Sequence, residues 1–356
     1  MGTLLASIGA AFIALTLVFD KLTLGDFYKE STKTAWFVSS VLGSVIGLTA
    51  TFIGWLLFSD PQTIIGHVFE LVNGHVYLLI LSVLVGTIAA LALLSYFYCF
   101  ATGSVSTTVG IVIAATPIFV FVTQKIFFSE NWLLFEVVSV VLTVIGILIY
   151  EWLEKEDLED EPGEEGEAVE ASAGRSTFFN LPVITLILFS TFYLVLIDWV
   201  LSTIVITANV TAIEASFIAL PFYWLGFGVG IINLGFNEVR SFLSSESLRR
   251  VHFIFLIFAI EIIGAGFYFF EQLAIAELDV TLATLIIGAH VVAVWIMDIY
   301  IRNRYQYYKD KGESVTKVFF FRTPTESLIA YDKSRRTIFL QLCAIGIVLT
   351  GLALWP

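Results

Sequence analysis

The stretch "TLATLIIGAHVVAVW", residues 281–295, is an apolar run of helical length with one histidine, His290, near its middle. In a soluble protein such a run forms a core helix around a buried imidazole. In a bilayer it is a transmembrane helix with a titratable ring at mid-depth. Composition decides between the two, because 58% of the chain is hydrophobic and only 14% is charged. Soluble domains carry about 25% charged residues, so the sequence predicts a polytopic membrane protein.

Apolar runs long enough to cross a bilayer recur along the chain, separated by short polar breaks. We predict an all-α membrane protein with ten transmembrane helices. The first run lacks the basic segment and cleavage pattern of a signal peptide, so it is expected to remain as a span. The predicted spans are residues 3–19, 35–58, 77–101, 104–128, 132–150, 181–206, 211–236, 253–275, 280–301 and 337–355.

An acidic segment, residues 151–178, separates the first five spans (residues 1–150) from the last five (residues 179–356). Its like charges and scarcity of apolar residues predict a disordered tether, with a regulatory or binding tail as the alternative. The second half also contains a long basic loop, residues 302–336. Its lysines, arginines and aromatic residues suit a strand-bearing or amphipathic segment on an anionic leaflet, and an ordinary loop is the alternative.

Two long hairpins, residues 96–128 and 269–301, align without a gap and share one plan of long span, short break and long span. In this alignment His290 lies opposite Pro117. An odd number of spans in each half gives the halves opposite orientations, which is the inverted-repeat plan of many transporters. We therefore predict two five-helix inverted repeats. The identical positions are Phe97 and Phe270, Ala101 and Ala274, Thr108 and Thr281, Ile113 and Ile286, and Ile126 and Ile299.

The segment "FATGSVSTTVGIVIAATPIFVFVTQKIFFSENWLLFEVVSVVLTVIGILIY", residues 100–150, resembles the drug/metabolite transporter superfamily of the EamA type. The resemblance is carried by a small-residue hairpin, the mid-span Pro117, Glu130 after the fourth span and Gly146 in the fifth. Asn131 stands where this family often has a basic residue. The resemblance implies an alternating-access carrier with a central cavity between its halves and with Pro117 in the cavity wall.

The positive charges are distributed unevenly between the two faces of the membrane. Every lysine and arginine except Lys125 lies in a loop that follows an odd-numbered span. The positive-inside rule puts that face in the cytoplasm and both termini outside. The family resemblance implies the opposite orientation, so both stay open. The plasma membrane is the expected location.

Ionisable side chains inside the predicted spans are concentrated in the second half. Such groups are costly in hydrocarbon and tend to face an interior cavity. Glu261 and Glu271 are ten residues apart, close to three helical turns, so we expect them on roughly one face about 15 Å apart along the axis. A packed, hydrogen-bonded ring is the alternative for His290, and an interfacial carboxylate is the alternative for Glu271. The predicted solute or proton pathway comprises His290, Glu271, Glu261, Asp198, Gln272, Pro117, Tyr98, Trp199 and Trp295.

The pattern of polar residues indicates the class of function. No lysine or arginine lies at mid-depth, while carboxylates with aromatic neighbours suit a cationic, zwitterionic or aromatic solute. No nucleophile–base pair, phosphate-binding loop or metal-ligand spacing indicates an enzyme, a cofactor or a metal, and no nucleic-acid partner is expected. We predict a secondary-active transporter of a small organic molecule, with proton coupling as an option. A channel, a non-transporting sensor or scaffold, and a membrane enzyme are the alternatives, and a homodimer is left open.

Overall fold

Helices account for nearly all of the chain in the computed structural model, which describes residues 1–27, 32–102, 105–128, 131–159, 181–243, 251–318, 321–324 and 335–356. A 3-10 helix, Gly228–Gly235, continues α8. Strands β1 (Val315–Val318) and β2 (Phe321–Pro324) pair antiparallel between α12 and α13. The helices are α1 (Gly2–Phe27), α2 (Thr32–Phe58), α3 (Pro61–Gly74), α4 (Val76–Thr102), α5 (Val105–Phe127), α6 (Leu134–Glu159), α7 (Leu181–Ala208), α8 (Ala212–Phe227), α9 (Asn237–Leu243), α10 (Val251–Glu277), α11 (Val280–Gly288), α12 (Val291–Asp310) and α13 (Arg335–Ala353).

Eight helical segments in the described part of the chain are long and apolar enough to cross a membrane, which makes this an integral membrane protein, as the sequence predicts. Shorter apolar segments lie in α1 and α5, at Gly2–Leu17 and Ala114–Phe127. They coincide with two of the ten predicted spans, so the count of ten stays a prediction. The eight segments are Thr32–Phe58, Val76–Cys99, Leu134–Leu153, Leu181–Ala208, Ala212–Gly235, Ile257–Glu277, Val280–Asp310 and Arg336–Ala353.

Helix α3 lies between the second and third predicted spans, where no helix is predicted. Asp60 caps its N-terminus by accepting hydrogen bonds from the backbone N–H of Gln62 and the hydroxyl of Thr63. The hydrogen bond from Thr63 is the main cause of the lowered pKa of Asp60. Ile64 and Leu71 are buried on one face, while neighbouring apolar side chains are exposed. The aspartate–proline start and this spacing of apolar residues were the available signals for an amphipathic helix.

Helices from the two halves of the chain pack against one another in pairs. α1 packs on α10, α4 on α7, α2 on α8 and its 3-10 continuation, α5 on α11, and α6 on α13. In the α4–α8 contact, a Cβ on Gly226 would overlap the carbonyl oxygen of Val83, and one on Gly86 would overlap that of Tyr223. Glycine at both positions lets the two backbones touch, as small residues do between membrane helices.

Polar contacts secure the end of α5. Lys125 and Glu136 form a buried ion pair at 2.9 Å that joins α5 to α6. The Gln124 side chain donates to Asp279, the N-cap of α11, at 2.8 Å, and accepts from the Thr281 hydroxyl at 2.7 Å. The last turn of α5 is therefore held by both of its neighbours.

The predicted ninth span, residues 280–301, lies within the apolar helical segment Val280–Asp310, which contains a short turn. α11 ends at Gly288 and α12 begins at Val291, and the turn between them is made by Ala289 and His290. There, the backbone N–H of Ala289 is shared between Leu285 O at 3.0 Å and Ile286 O at 3.1 Å, and that of His290 donates to Ile287 O at 3.0 Å. The bonds to Ile286 and Ile287 join residues three apart instead of the four of an α-helix, so the helix tightens locally.

Two predictions about the loops can be compared with the structure in part. α6 continues to Glu159, so the first residues of the predicted disordered segment 151–178 are helical. Residues 160–180 lie outside the described part of the chain. Within the basic loop 302–336, the strands β1 and β2 follow the extension of α12 to Asp310. The placement of this segment on an anionic leaflet stays a prediction. Residues 325–334 are not described.

Candidate functional site

A cavity of about 220 Å³ lies between the two halves of the helix assembly. Helices of both halves form its wall: α1, α2, α4 and α5 from the first, and α7, α8, α10 and α11 from the second. Most of the wall is apolar. The polar and aromatic residues that bear on its chemistry include Thr16, Ser39, Tyr96, Thr116, Ser190, Tyr193, Phe227, Glu261, Tyr268, Glu271, Thr284 and His290.

Glu271 is held in the wall by a tyrosine of a neighbouring helix. The Tyr193 hydroxyl on α7 donates to Glu271 Oε2 at 2.6 Å, and the glutamate is only 5% exposed. α10 continues for six residues beyond Glu271, to Glu277, and the interfacial alternative for Glu271 is not tested by this placement. Gly9 on α1 lies next to the backbone of Glu271, because a Cβ at residue 9 would be 3.7 Å from the Glu271 backbone nitrogen.

Glu261 lines the same cavity from the same helix, as its spacing from Glu271 predicts. Its Oε1 accepts a 2.5 Å hydrogen bond from the Ser39 hydroxyl on α2, and the glutamate is 6% exposed. Gly43, one turn further along α2, lies near the other oxygen, because a Cβ there would be 3.8 Å from Oε2. Each carboxylate is thus oriented by a hydroxyl from a different helix.

His290 combines features of both sequence-based alternatives. It lines the cavity and is 1% exposed, and its Nδ1 lies 3.2 Å from the carbonyl oxygen of Ile287. When Nδ1 carries the proton and donates to that carbonyl, the neutral ring presents Nε2 as an acceptor. Pro117, which aligns with His290 between the hairpins, lines the cavity from α5. The two aligned positions therefore meet at one site.

Five residues of the predicted pathway are not in the described cavity wall. Tyr98 and Trp199 are 40% and 37% exposed, and Gln272 is fully buried elsewhere in the packing. Asp198 and Trp295 are partly buried and also lie away from the wall. Tyr98 and Gln272 each directly follow a residue that lines the cavity. Because successive side chains on a helix are rotated by about 100°, these two point away from the wall.

Sequence reasoning missed several residues of the site. Tyr193, Ser39 and Tyr268 are in the wall but were not in the predicted pathway. Tyr268 precedes Glu271 by three residues and follows Glu261 by seven, so helical spacing could have identified it. Ser39 carried no comparable signal, because a serine in an apolar span can bond to its own helix.

Aromatic rings from three helices surround the Glu271 end of the cavity. The Tyr268 ring centroid lies 6.2 Å from that of Tyr193 and 5.1 Å from that of Phe227. Tyr223 packs behind them, with its centroid 6.0 Å from Tyr193. The arrangement brings aromatic rings and a carboxylate into one part of the wall, a combination that favours positively charged groups.

The described wall contains two carboxylates and an imidazole, and no lysine or arginine. Among the described residues, no group of three His, Cys, Asp or Glu side chains could hold a metal ion. No protein-family model matches the chain, and no curated protein matches it in sequence. The family resemblance of residues 100–150 therefore stays a prediction, and the cavity itself is the basis for a functional assignment.

Proposed function

We propose that the protein is a secondary-active transporter that moves a small organic solute by alternating access through the cavity between its halves. The observation that carries this proposal is the shared wall. Both halves contribute four helices to one cavity, and buried carboxylates lie at its surface. Small-molecule sites in transporters occur at such an interface between halves, close to the middle of the membrane.

The pairing of the helices supports an inverted-repeat architecture. Let α1, α2, α4, α5 and α6 correspond in order to α7, α8, α10, α11–α12 and α13. The contact of α1 with α10 then corresponds to the contact of α7 with α4. The α2–α8, α5–α11 and α6–α13 contacts each join a helix to the helix that corresponds to it, so each contact maps onto itself when the halves are exchanged. Exchanging the halves leaves the pairing unchanged, as a pseudo-two-fold relation requires.

Two helix irregularities at the cavity also support a transporter. The α-helix of α8 changes to a 3-10 helix directly after Phe227, and the turn at His290 separates α11 from α12. Both residues line the cavity. Discontinuous helices at the binding site are typical of secondary transporters, because the interrupted backbone can rearrange as the halves rock.

We further propose that the coupling ion is a proton, carried at the cavity surface. The titratable groups that share the described cavity wall with His290 are Glu261 and Glu271 on α10, together with Tyr96, Tyr193 and Tyr268. A histidine can change its charge near neutral pH, and its partners tune that change. Exchange of protons between these groups and the solution would link the solute flux to a proton gradient.

Flux through proteoliposomes tests the transporter proposal. We expect purified protein to give saturable, solute-dependent uptake that is reduced at least tenfold by Glu271→Gln. A non-saturating ion current would instead support a channel. Solute binding without any flux would support a sensor or scaffold, which is the alternative for this architecture.

A further inference from the structure

We propose that the solute is an organic amine in its protonated form, whose ammonium group binds between Glu271 and the rings of Tyr193 and Tyr268. The role of the amine as a transported solute rests on the proposed function. The amine-binding site itself rests only on the residues of the cavity wall. It excludes two classes that the composition left open: zwitterions and uncharged aromatic molecules.

Five hydroxyl groups of the described wall already donate hydrogen bonds within the protein. Tyr193 donates to Glu271 and Ser39 donates to Glu261. The three threonine hydroxyls of the described wall donate to backbone carbonyls of their own helices, at 3.0, 2.8 and 2.8 Å. They are Thr16 to Phe12 O, Thr116 to Val112 O and Thr284 to Thr281 O. These hydroxyls are therefore not available as donors to a solute. A solute that brings its own donors, as an ammonium group does, can bond to the carboxylates of the wall.

Glu271 presents its carboxylate at the cavity wall. Oε2 accepts the hydrogen bond from Tyr193, which orients the group. Because Glu271 lines the cavity, a solute can reach an oxygen of this carboxylate. A charged hydrogen bond between an ammonium N–H and this oxygen is stronger than a neutral one.

The aromatic rings add a second source of attraction for a cation. Tyr193 and Tyr268 face each other edge to face, and Phe227 lies beside Tyr268. An ammonium ion that has lost its water gains from the negative faces of such rings. The remaining wall is formed largely by aliphatic residues, including Leu93, Leu194 and Ile260, which suit the apolar body of the amine.

A carboxylate on the solute would be rejected by the same wall. The described wall has no lysine or arginine, and its two acidic residues would repel the anion. Discrimination between an amine and the corresponding amino acid thus comes from repulsion as much as from attraction.

Two matched probe series test this inference by equilibrium binding to the full chain in lipid nanodiscs. The first is phenethylamine, phenylalanine and phenethyl alcohol; the second is pentylamine, norleucine and pentanol. We expect at least one amine to bind at least about tenfold more tightly than its amino-acid and alcohol counterparts, a difference of about 1.4 kcal/mol. Absence of an amine preference in both series overturns the inference.

Variants locate the binding site. Glu271→Gln keeps the side-chain shape and should weaken amine binding at least tenfold, and Tyr268→Leu should weaken it by removing one ring. Asp198→Asn is the matched control, since this carboxylate lies in a neighbouring span away from the described wall. It should bind the amine as the unchanged protein does. Equal losses in all three variants, or none, would contradict the assignment.

The same probes separate this inference from the transporter proposal. Amine binding without flux would contradict transport while the amine site stands. Flux of phenylalanine or norleucine in preference to the amines would support transport and overturn the amine site.

Discussion

The hydroxyl of Tyr193 donates a 2.6 Å hydrogen bond to the carboxylate of Glu271, which joins α7 to α10 at the cavity wall. Both side chains are buried, so the bond sets the direction of the carboxylate where water cannot easily replace it. The bond thereby orients a carboxylate of the cavity wall. Its orientation depends on a residue of another span.

Replacing Tyr193 with phenylalanine should keep the ring and release the carboxylate. Without its donor, the buried carboxylate of Glu271 loses one of its stabilising partners and its fixed direction. We expect the KM for solute uptake to rise about tenfold with the protein still folded, which corresponds to about 1.4 kcal/mol. Tyr300→Phe, at an exposed tyrosine, is the control. An unchanged KM would show that the hydrogen bond does not position the carboxylate.

Replacing His290 with glutamine should keep the protein folded and abolish the pH dependence of transport between about pH 5 and 8. Glutamine retains polar atoms near the Ile287 carbonyl but cannot change its charge. Uptake is measured across this range at a fixed proton gradient. His67→Gln, in the amphipathic helix α3, is the control and should retain the full pH profile. An unaltered profile in His290→Gln would return the ring to a packing role.

Removing one partner of the Lys125–Glu136 pair should destabilise the protein. Glu136→Gln leaves the buried ammonium group of Lys125 without this carboxylate, at a cost of about 3 kcal/mol. Thermal or denaturant unfolding in detergent measures the loss. Replacing both residues, as Lys125→Met with Glu136→Leu, should recover most of the stability because no unpaired charge is buried. A double variant as unstable as the single one would contradict this account.

A methyl group at the α4–α8 contact should force the helices apart. The Cβ of Gly226→Ala would overlap the carbonyl oxygen of Val83, which is backbone and cannot turn aside. Overpacking of this kind costs about 1–3 kcal/mol. Gly346→Ala is the matched control, since a Cβ at that helical glycine meets no neighbouring atom within 4 Å. Equal stability of the two variants would show that the helices separate without cost.

Chemical labelling decides the orientation. A single cysteine at exposed Lys311, after Cys99 and Cys343 are replaced by serine, should react with an impermeant reagent only from the cytoplasmic side. The positive-inside rule is the reason, because nearly all lysines and arginines share this face. Labelling from outside intact cells would instead support the orientation that the family resemblance implies.

Some features of the site followed directly from the order of residues. Glu261, Glu271 and His290 were expected in a cavity wall and line one. Their expected placement rests on helical periodicity and on the high cost of polar groups in hydrocarbon, which are local properties. Pro117 also lines the cavity, a position that only the family resemblance implied. Tyr98 and Trp199 were misplaced because an aromatic residue near a polar span carries no information about which face of its helix it occupies.

The membrane class, eight of the spans and the common face of the two glutamates followed from the sequence alone, because hydropathy and the helical repeat act over a few turns. Only the tertiary structure decided that Ser39 and Tyr193 orient those glutamates, that the helix turns at His290, and that α3 is a helix rather than a loop. Helices in a bilayer associate through close packing and a few hydrogen bonds, without a hydrophobic force between them. The identity of each partner therefore depends on contacts between distant spans, which no local pattern records.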